Sequence, residues 1–326
     1  MRFKKIKILI LFNLLPFLVK AQSVRLIELD SAVNFFINEQ LVLTYQKSKM
    51  AVPAGVPASF SKSGFIHPLK TISGEVLTRV QPSDHYHHYG IWGPWTKVKI
   101  QDREVDFWNL GDQKGRVEFA EVLGQKADAS GAEFSVRQHH FDLTGSFPKQ
   151  PSLVEDLKIR VEPISKKRYL VDYHSTFTNQ LEHFILFEAY RYGGGIAFRA
   201  RQNWNPTNSV ILSSEGKTWD EVDGTSARWI MVSGSTNSPE EKSGILILSY
   251  PGNFSHPEPL RVWPSDSNDG RENVFINFTP TRNQSWRIES GKTYTLYYRL
   301  IVFDGEISLE EAEDYWSTFS SISIQK

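Results

Sequence analysis

Short runs such as VRLIELD, AEFSVRQHHFDL, RYLVDYHSTFTN and TYTLYYRLIVF alternate apolar with polar residues and recur along almost the whole chain. Side chains of a strand point alternately to its two faces, so such runs bury one face and wet the other. A helix would instead repeat its apolar positions every three or four residues. Clusters of Gly, Pro, Asn, Asp and Ser separate the runs, as turns separate strands. At this spacing about fifteen to twenty strands fit, and packing two large sheets face to face buries that many one-sided surfaces. The expectation is an all-β fold, a large antiparallel two-sheet sandwich. Only the end departs from the period: Ser308-Leu309-Glu310-Glu311 is a capping box that opens a short C-terminal helix through about Phe319.

The chain opens MRFKKIKILILFNLLPFLVKAQS, in which Arg2, Lys4, Lys5 and Lys7 precede an apolar run ending at Val19, with the small residue Ala21 at the cut. This is the order of a secretory signal peptide, expected over residues 1–21, and the run is short of the ~20 residues a bilayer-crossing helix needs. Residues 22–326 are then expected to form one domain, since no repeat, low-complexity segment or Pro/Gly-rich linker divides them. Such a leader implies bacterial export, to the periplasm or outside the cell. The chain contains no Cys, so its stability has to come from a large core rather than from disulfides. Lys plus Arg and Asp plus Glu balance at 37 each, which removes any net attraction toward nucleic acid or anionic lipid. A small molecule or an oligosaccharide remains the expected partner, with no membrane span.

Against this background SDHYHHYGIWGPWT, residues 83–96, is different in kind. In an extended strand His85 and His87 would share one side and Asp84 and His88 the other. Pro82 and Ser83 before them, and Gly90 and Gly93 after them, favour a loop at a strand end, where alternation does not hold. Imidazole titrates near neutrality and a carboxylate neighbour can orient its tautomer, so Asp84, His85, His87 and His88 are candidate proton-transfer groups. The plainer reading is a set of core histidines bonded to the backbone. His67, in GFIHPL, joins the candidates; Pro68 after it biases it to extended backbone. Arg79 and Arg103 are candidate grips on a carboxylate or vicinal hydroxyls, against the plainer role of ion pairs to Asp84, Asp106 or Glu104. Asp106 is counted with the substrate-binding candidates, and Trp92, Trp95 and Trp108 with them as stacking walls, although core packing is the alternative for each indole.

A second block, FEAYRYGGGIAFRAR, carries Glu188, Tyr190 and Arg191 ahead of Gly193–Gly195. The glycines allow a bend or the close approach of a ligand, and Glu188 or Arg191 is expected to reach the cavity of the histidines. No cofactor is implied. A His-bound divalent metal stays open, with His85 and His87 completed by His67, His139, His140 or Glu188. No Gly-x-Ser-x-Gly motif and no Cys supplies a nucleophile.

The IHPL, DHxHHxGIW and DFWN blocks, with HHFDL and YYRLIVFDG, resemble the PmoA-named family of exported bacterial proteins, also catalogued as DUF6807, over essentially the whole mature chain. The resemblance implies the large β supersandwich of sugar mutarotases and some polysaccharide-active enzymes, with the site on a concave sheet face. Three functions follow. The first is an exported carbohydrate-active enzyme of lyase, epimerase or hydrolase type, with the His/Asp cluster transferring protons. The second is a noncatalytic carbohydrate-binding module. The third, implied by the family name, is a His-ligated metal oxygenase.

Overall fold

The computed structural model describes residues 23–128, 130–238, 240–270 and 274–323. The expected signal peptide lies outside them.

Two large antiparallel sheets face each other across one apolar core. The nine-stranded sheet runs in the order Val24–Glu28, Ala32–Ile37, Gln40–Gln46, Phe65–Leu69, Ile91–Trp92, Ile196–Arg199, Phe275–Phe278, Glu258–Val262, Ser226–Ala227. The eight-stranded sheet runs Ser209–Ser213, Trp229–Ser235, Lys242–Ser249, Thr293–Asp304, Arg168–Asn179, Pro151–Ser165, Ala132–Asp142, Gly115–Ala127. The alternation seen in the sequence is realised directly: Phe134 and Val136 enter the core while the alternating Glu133 and Ser135 do not. Burial of such side chains stabilises by about 1.5–3 kcal/mol each, and the cluster they join draws residues from Val24 to Val302.

A third, four-stranded sheet was not expected: Trp286–Ile288, Ile185–Phe187, Val98–Ile100 and Arg103–Val105. It assembles strands from three distant parts of the chain, a pairing that no local pattern encodes. The C-terminal helix is Leu309–Ser320, with Ser308 as N-cap and the reciprocal Ser308–Glu311 bonds in place. Its Ala312 and Phe319 cover Trp229, Leu246, Ile301 and Phe303 on the outer face of the eight-stranded sheet. The outer face of the nine-stranded sheet carries an aromatic cluster instead.

Candidate active site

Five adjacent strands of the nine-stranded sheet build the floor of the site. Ile66, Ile91, Ile196, Phe198, Ile276, Leu260 and Val262 point into the main core. Their sequence neighbours Phe65, Trp92, Ala197, Phe275 and Trp263 therefore emerge on the other face, where they form the separate aromatic cluster. Register holds them side by side: Ala197 opposes Trp92, and Arg199 opposes Phe275. Arg199, two residues beyond Ala197, thus leaves the sheet on the same face, with its guanidinium carbon 4.6 Å from the Trp263 ring centre.

The histidine segment closes over this floor as a loop. Val80 bridges to Tyr89, and Gln81 N donates to His88 O at 2.8 Å. Inside that closure two turns follow each other, His85 N to Pro82 O and His88 N to His85 O. Gly90 leaves the loop at φ +72°, and a Cβ there would strike the Ile66 carbonyl, so glycine is required. The loop expected at this position is present, and its turns set all three imidazoles side by side: the rings of His85 and His88 lie 4.9 Å apart, those of His85 and His87 5.4 Å.

Asp84 is the electrostatic centre. Its Oδ2 accepts from Arg199 Nη2 at 2.7 Å and lies 3.0 Å from His85 Nδ1, while Arg79 Nη2 approaches Oδ1 at 3.6 Å. Burial pushes this carboxyl up, but the His85 hydrogen bond and the charges of Arg199, His85 and Arg79 outweigh it and hold the group down at about 2. Asp84 is therefore ionised at neutral pH and can only accept, which places a His85 proton on Nδ1. The His85 side chain keeps 36% of its surface exposed.

The other imidazoles do different work. Burial holds His87 down to about 4, aided by the charge of His85. His88 is wholly buried, stacked on Phe275 at 4.9 Å and Trp108 at 5.8 Å, and neither ring nitrogen has a hydrogen-bond partner among the described residues. Burial and the Arg199 charge keep it well below its ordinary value. His67 sits inside strand Phe65–Leu69, its Nδ1 2.9 Å from Thr78 Oγ1, and burial lowers it to about 4. At neutral pH these three are neutral hydrogen-bonding or packing groups.

The remaining candidates divide. Trp108 belongs to the site, donating from Nε1 to His87 O at 2.8 Å, and Trp92 packs in the floor, 5.4 Å from the His88 ring. Asp106 pins the segment rather than facing a ligand: its Oδ1 accepts from the Trp108 and Asn109 amides, its Oδ2 from Thr96 Oγ1 and Asn109 Nδ2. Trp95 is in the main core, stacked on Phe187 at 4.2 Å, because Pro94 and the turn before strand Val98–Ile100 carry it to the opposite side of the sheet from Trp92. Arg103 lies in the four-stranded sheet and binds Asp142 at 2.7 Å, away from the histidines.

The second block also departs from expectation. Glu188 through Gly195 form a loop between strands Ile185–Phe187 and Ile196–Arg199. Glu188 follows that strand at the four-stranded sheet, where its amide bonds Lys97 O. Tyr190 faces Lys97, whose Nζ is 5.8 Å from its ring centre. Arg191 lies 5.2 Å over Tyr192, and Tyr192 meets Trp108 at 5.3 Å and accepts from Trp263 Nε1; Arg191 thereby marks the rim. The glycines admit protein, not a ligand: Cβ atoms at Gly194 and Gly195 would strike Trp95 and the Phe278 carbonyl. The expected metal set does not converge. His140 lies in the eight-stranded sheet and binds Glu155 at 2.9 Å, His139 points from the opposite face of the same strand, and no group of three His, Asp or Glu side chains is placed to hold a metal among the described residues.

Arg199 and Trp263 are site residues that sequence reasoning passed over. The signal for Arg199 was present, a cation within the apolar run IAFRA. Beside the loop, a cavity of about 1040 Å³ opens along His67, Thr78, Arg79 and Gln81 on one side and Gln202, Asn203 and Asn205 on the other. It flanks the histidines rather than covering them, and Arg79 is common to both.

The fold and site define a large antiparallel β sandwich that carries an ion-paired Asp–His dyad on the outer face of its nine-stranded sheet. The chain belongs to the Family of unknown function (DUF6807), whose model matches residues 32–317. No curated protein matches it. Among solved structures it is similar to a heparan sulfate lyase mutant from Pedobacter heparinus, with 10% identity, TM-score 0.41, and 88% of this chain covering 37% of that one. A putative aldose 1-epimerase from Klebsiella pneumoniae subsp. pneumoniae matches at 8% identity and TM-score 0.39, over 92% of this chain and 88% of the other. An alpha-galactosidase from Lactobacillus brevis matches at 7% identity and TM-score 0.36, over 87% and 40%. The chain thus spans little more than a third of the lyase.

Proposed function

We propose that this protein is an exported, periplasmic or secreted carbohydrate-active enzyme in which the Asp84–His85 dyad removes a proton beside a carbonyl or carboxylate of a sugar, as a lyase or epimerase does. The observation that carries this reading is the bond between His85 Nδ1 and an Asp84 carboxylate already fixed by Arg199. Such a carboxylate holds the ring in one tautomer and stabilises the imidazolium formed when Nε2 takes the proton. Arg79 stands at the edge of the dyad, where it can face the charge that develops on the substrate oxygen, and Arg191 guards the rim. Trp263, 4.5 Å from the His85 ring, and Trp108 are buried at 5% and 4% exposure and support the imidazoles from below.

A hydrolase is the weaker member of the set. Glycoside hydrolysis ordinarily uses two carboxyl groups across the bond, and here Asp84 is engaged by cations while both Asp106 oxygens are bound by their own loop. The oxygenase implied by the PmoA name needs a converging set of metal ligands, and none is formed among the described residues.

The test is a panel of neutral and uronic mono- and oligosaccharides in deuterated buffer, read by mass spectrometry for deuterium uptake and by ultraviolet absorbance for unsaturated products. Turnover that falls about 10²–10⁴-fold in His85→Ala supports the dyad as base. Turnover unchanged in that variant refutes it, and binding without any turnover replaces the enzyme by a binding module.

A further inference from the structure

The cavity beside the dyad is larger than one sugar ring needs. At about 1040 Å³ it stands at the upper limit of the roughly 300–1,000 Å³ of ordinary ligand sites. We propose that it is a binding tract for the neighbouring units of an anionic, uronic-acid-bearing sugar chain whose reacting unit sits at His85. This inference rests on the carbohydrate reading above and names its substrate class.

Three observations carry it. First, the tract is continuous with the site: Arg79 lines it and also approaches Asp84 at 3.6 Å, and His67, on the same sheet face as Arg199, lines it too. Second, its chemistry suits hydroxyls and carboxylates. Gln81, Gln202, Asn203 and Asn205 bring amides, and no Asp or Glu is among the described residues that line it; Arg79 and Arg201 bring guanidinium groups that are ion-paired behind the wall, to Asp84 at 3.6 Å and Glu75 at 2.6 Å, and offer their remaining N–H groups. Amides both donate and accept, as sugar hydroxyls do, and the guanidinium fork matches a carboxylate.

Third, the far wall is held in place before any ligand arrives. Arg201 donates to Glu75 at 2.6 Å, to Asn203 at 2.7 Å and to Asn237 at 2.8 Å, and Trp204 is buried with its Nε1 bonded to Ser235 O at 2.9 Å. A wall so fixed loses little freedom on binding, which favours affinity from modest polar contacts. His67 is neutral here, so it serves as a hydrogen-bonding group at the junction rather than as a second base.

The experiment uses the full mature chain and graded oligomers of galacturonate, glucuronate and mannuronate, one to six units long, with neutral oligomers of the same lengths. Binding is followed by calorimetry and turnover by product analysis. At least one uronate series should bind about tenfold or more tighter as trimer than as monomer, the equivalent of about 1.4 kcal/mol, and tighter than its neutral counterpart. Ala51→Trp, at an exposed position on the tract wall, should abolish that gain while leaving monomer binding intact; Val52→Trp is the second blocking variant. Equal affinity at all lengths, a length gain that survives both tryptophans, or preference for the neutral series each overturns the tract. If monomeric uronates are processed in a His85-dependent way and length adds nothing, the proposed function stands and the tract falls. If no sugar of any length binds or reacts, both fall.

Discussion

Arg199 Nη2 donates to Asp84 Oδ2 at 2.7 Å, across 115 residues of chain. The arginine side chain has no exposed surface and the carboxylate keeps 16% of its own. This bond ties the floor of the site to the loop above it. Asp84→Ala is expected to destabilise the protein by roughly 3 kcal/mol, the lower end for breaking a buried ion pair, and to release His85 from its fixed tautomer. Asp84→Asn keeps the shape without the charge and should cost less. Urea titration of the two variants checks the order; equal stability of Asp84→Ala and wild type would contradict it.

Stability should fall as pH drops below about 6.5. Burial lowers His67, His87 and His256 to about 4 and His88 well below its usual value. The unfolded chain, with histidines near 6.5, therefore takes up protons first, and the loss proceeds from there down through about 4. Asp84, depressed to about 2, adds a further loss as pH falls from its unfolded value near 3.9 toward 2. Glu258 works the other way. Burial raises it to about 7, so its contribution is greatest below its unfolded value and declines as pH rises from there through about 7. Four histidines outweigh one carboxyl, and the melting temperature is expected to drop steadily from pH 7 to pH 4.5. A flat or rising curve over that interval would show that these rings are not held neutral.

His88 offers a sharper separation of stability from function. Both of its ring nitrogens are buried without partners among Trp92, Trp108 and Phe275. An unsatisfied buried polar group costs about 1–3 kcal/mol, and replacing it by an apolar group of like shape removes that cost. His88→Phe is expected to match wild type or exceed it by about 1 kcal/mol, with the extra ring volume taking back part of the gain. A loss beyond about 2 kcal/mol in chemical denaturation would mean that the nitrogens have partners in solution.

The long strands of both large sheets were legible because alternation needs only local sequence: RYLVDYHSTFTN and TYTLYYRLIVF become neighbours in the eight-stranded sheet, Tyr173 opposite Tyr298, whereas short strands such as Ile91–Trp92 and Glu258–Val262 carry too few residues to show a period. So was the helix, whose capping box is written in four consecutive residues. The four-stranded sheet was not, since nothing in FILFEAYRY shows that only Ile185–Phe187 pairs, or that it pairs with Val98–Ile100. Glu188 and Tyr190 lie in the loop that follows that strand, beside Lys97. The tryptophans show the same limit. Trp92 and Trp95 are three residues apart and face opposite sides of one sheet, a difference set by turns rather than by residue type. Asp84 and His85 were legible as a pair because they are adjacent; Arg199, their partner from a strand far along the chain, was not.

Gly194 provides the last test, because it separates a ligand-facing glycine from a packing one. It adopts φ +71°, a left-handed conformation that costs a non-glycine residue energy, and a Cβ there would collide with the six-membered ring of Trp95. Trp95 cannot yield easily, since it stacks on Phe187 at 4.2 Å and packs against Phe177 and Trp286. Backbone strain and overpacking each cost about 1–3 kcal/mol, so Gly194→Ala should destabilise by at least ~2 kcal/mol. Because this collision is with the core, sugar affinity of the remaining folded protein should not change. If instead the variant keeps wild-type stability and loses affinity, the glycine stretch faces a ligand, and the floor of the site extends beyond Tyr192.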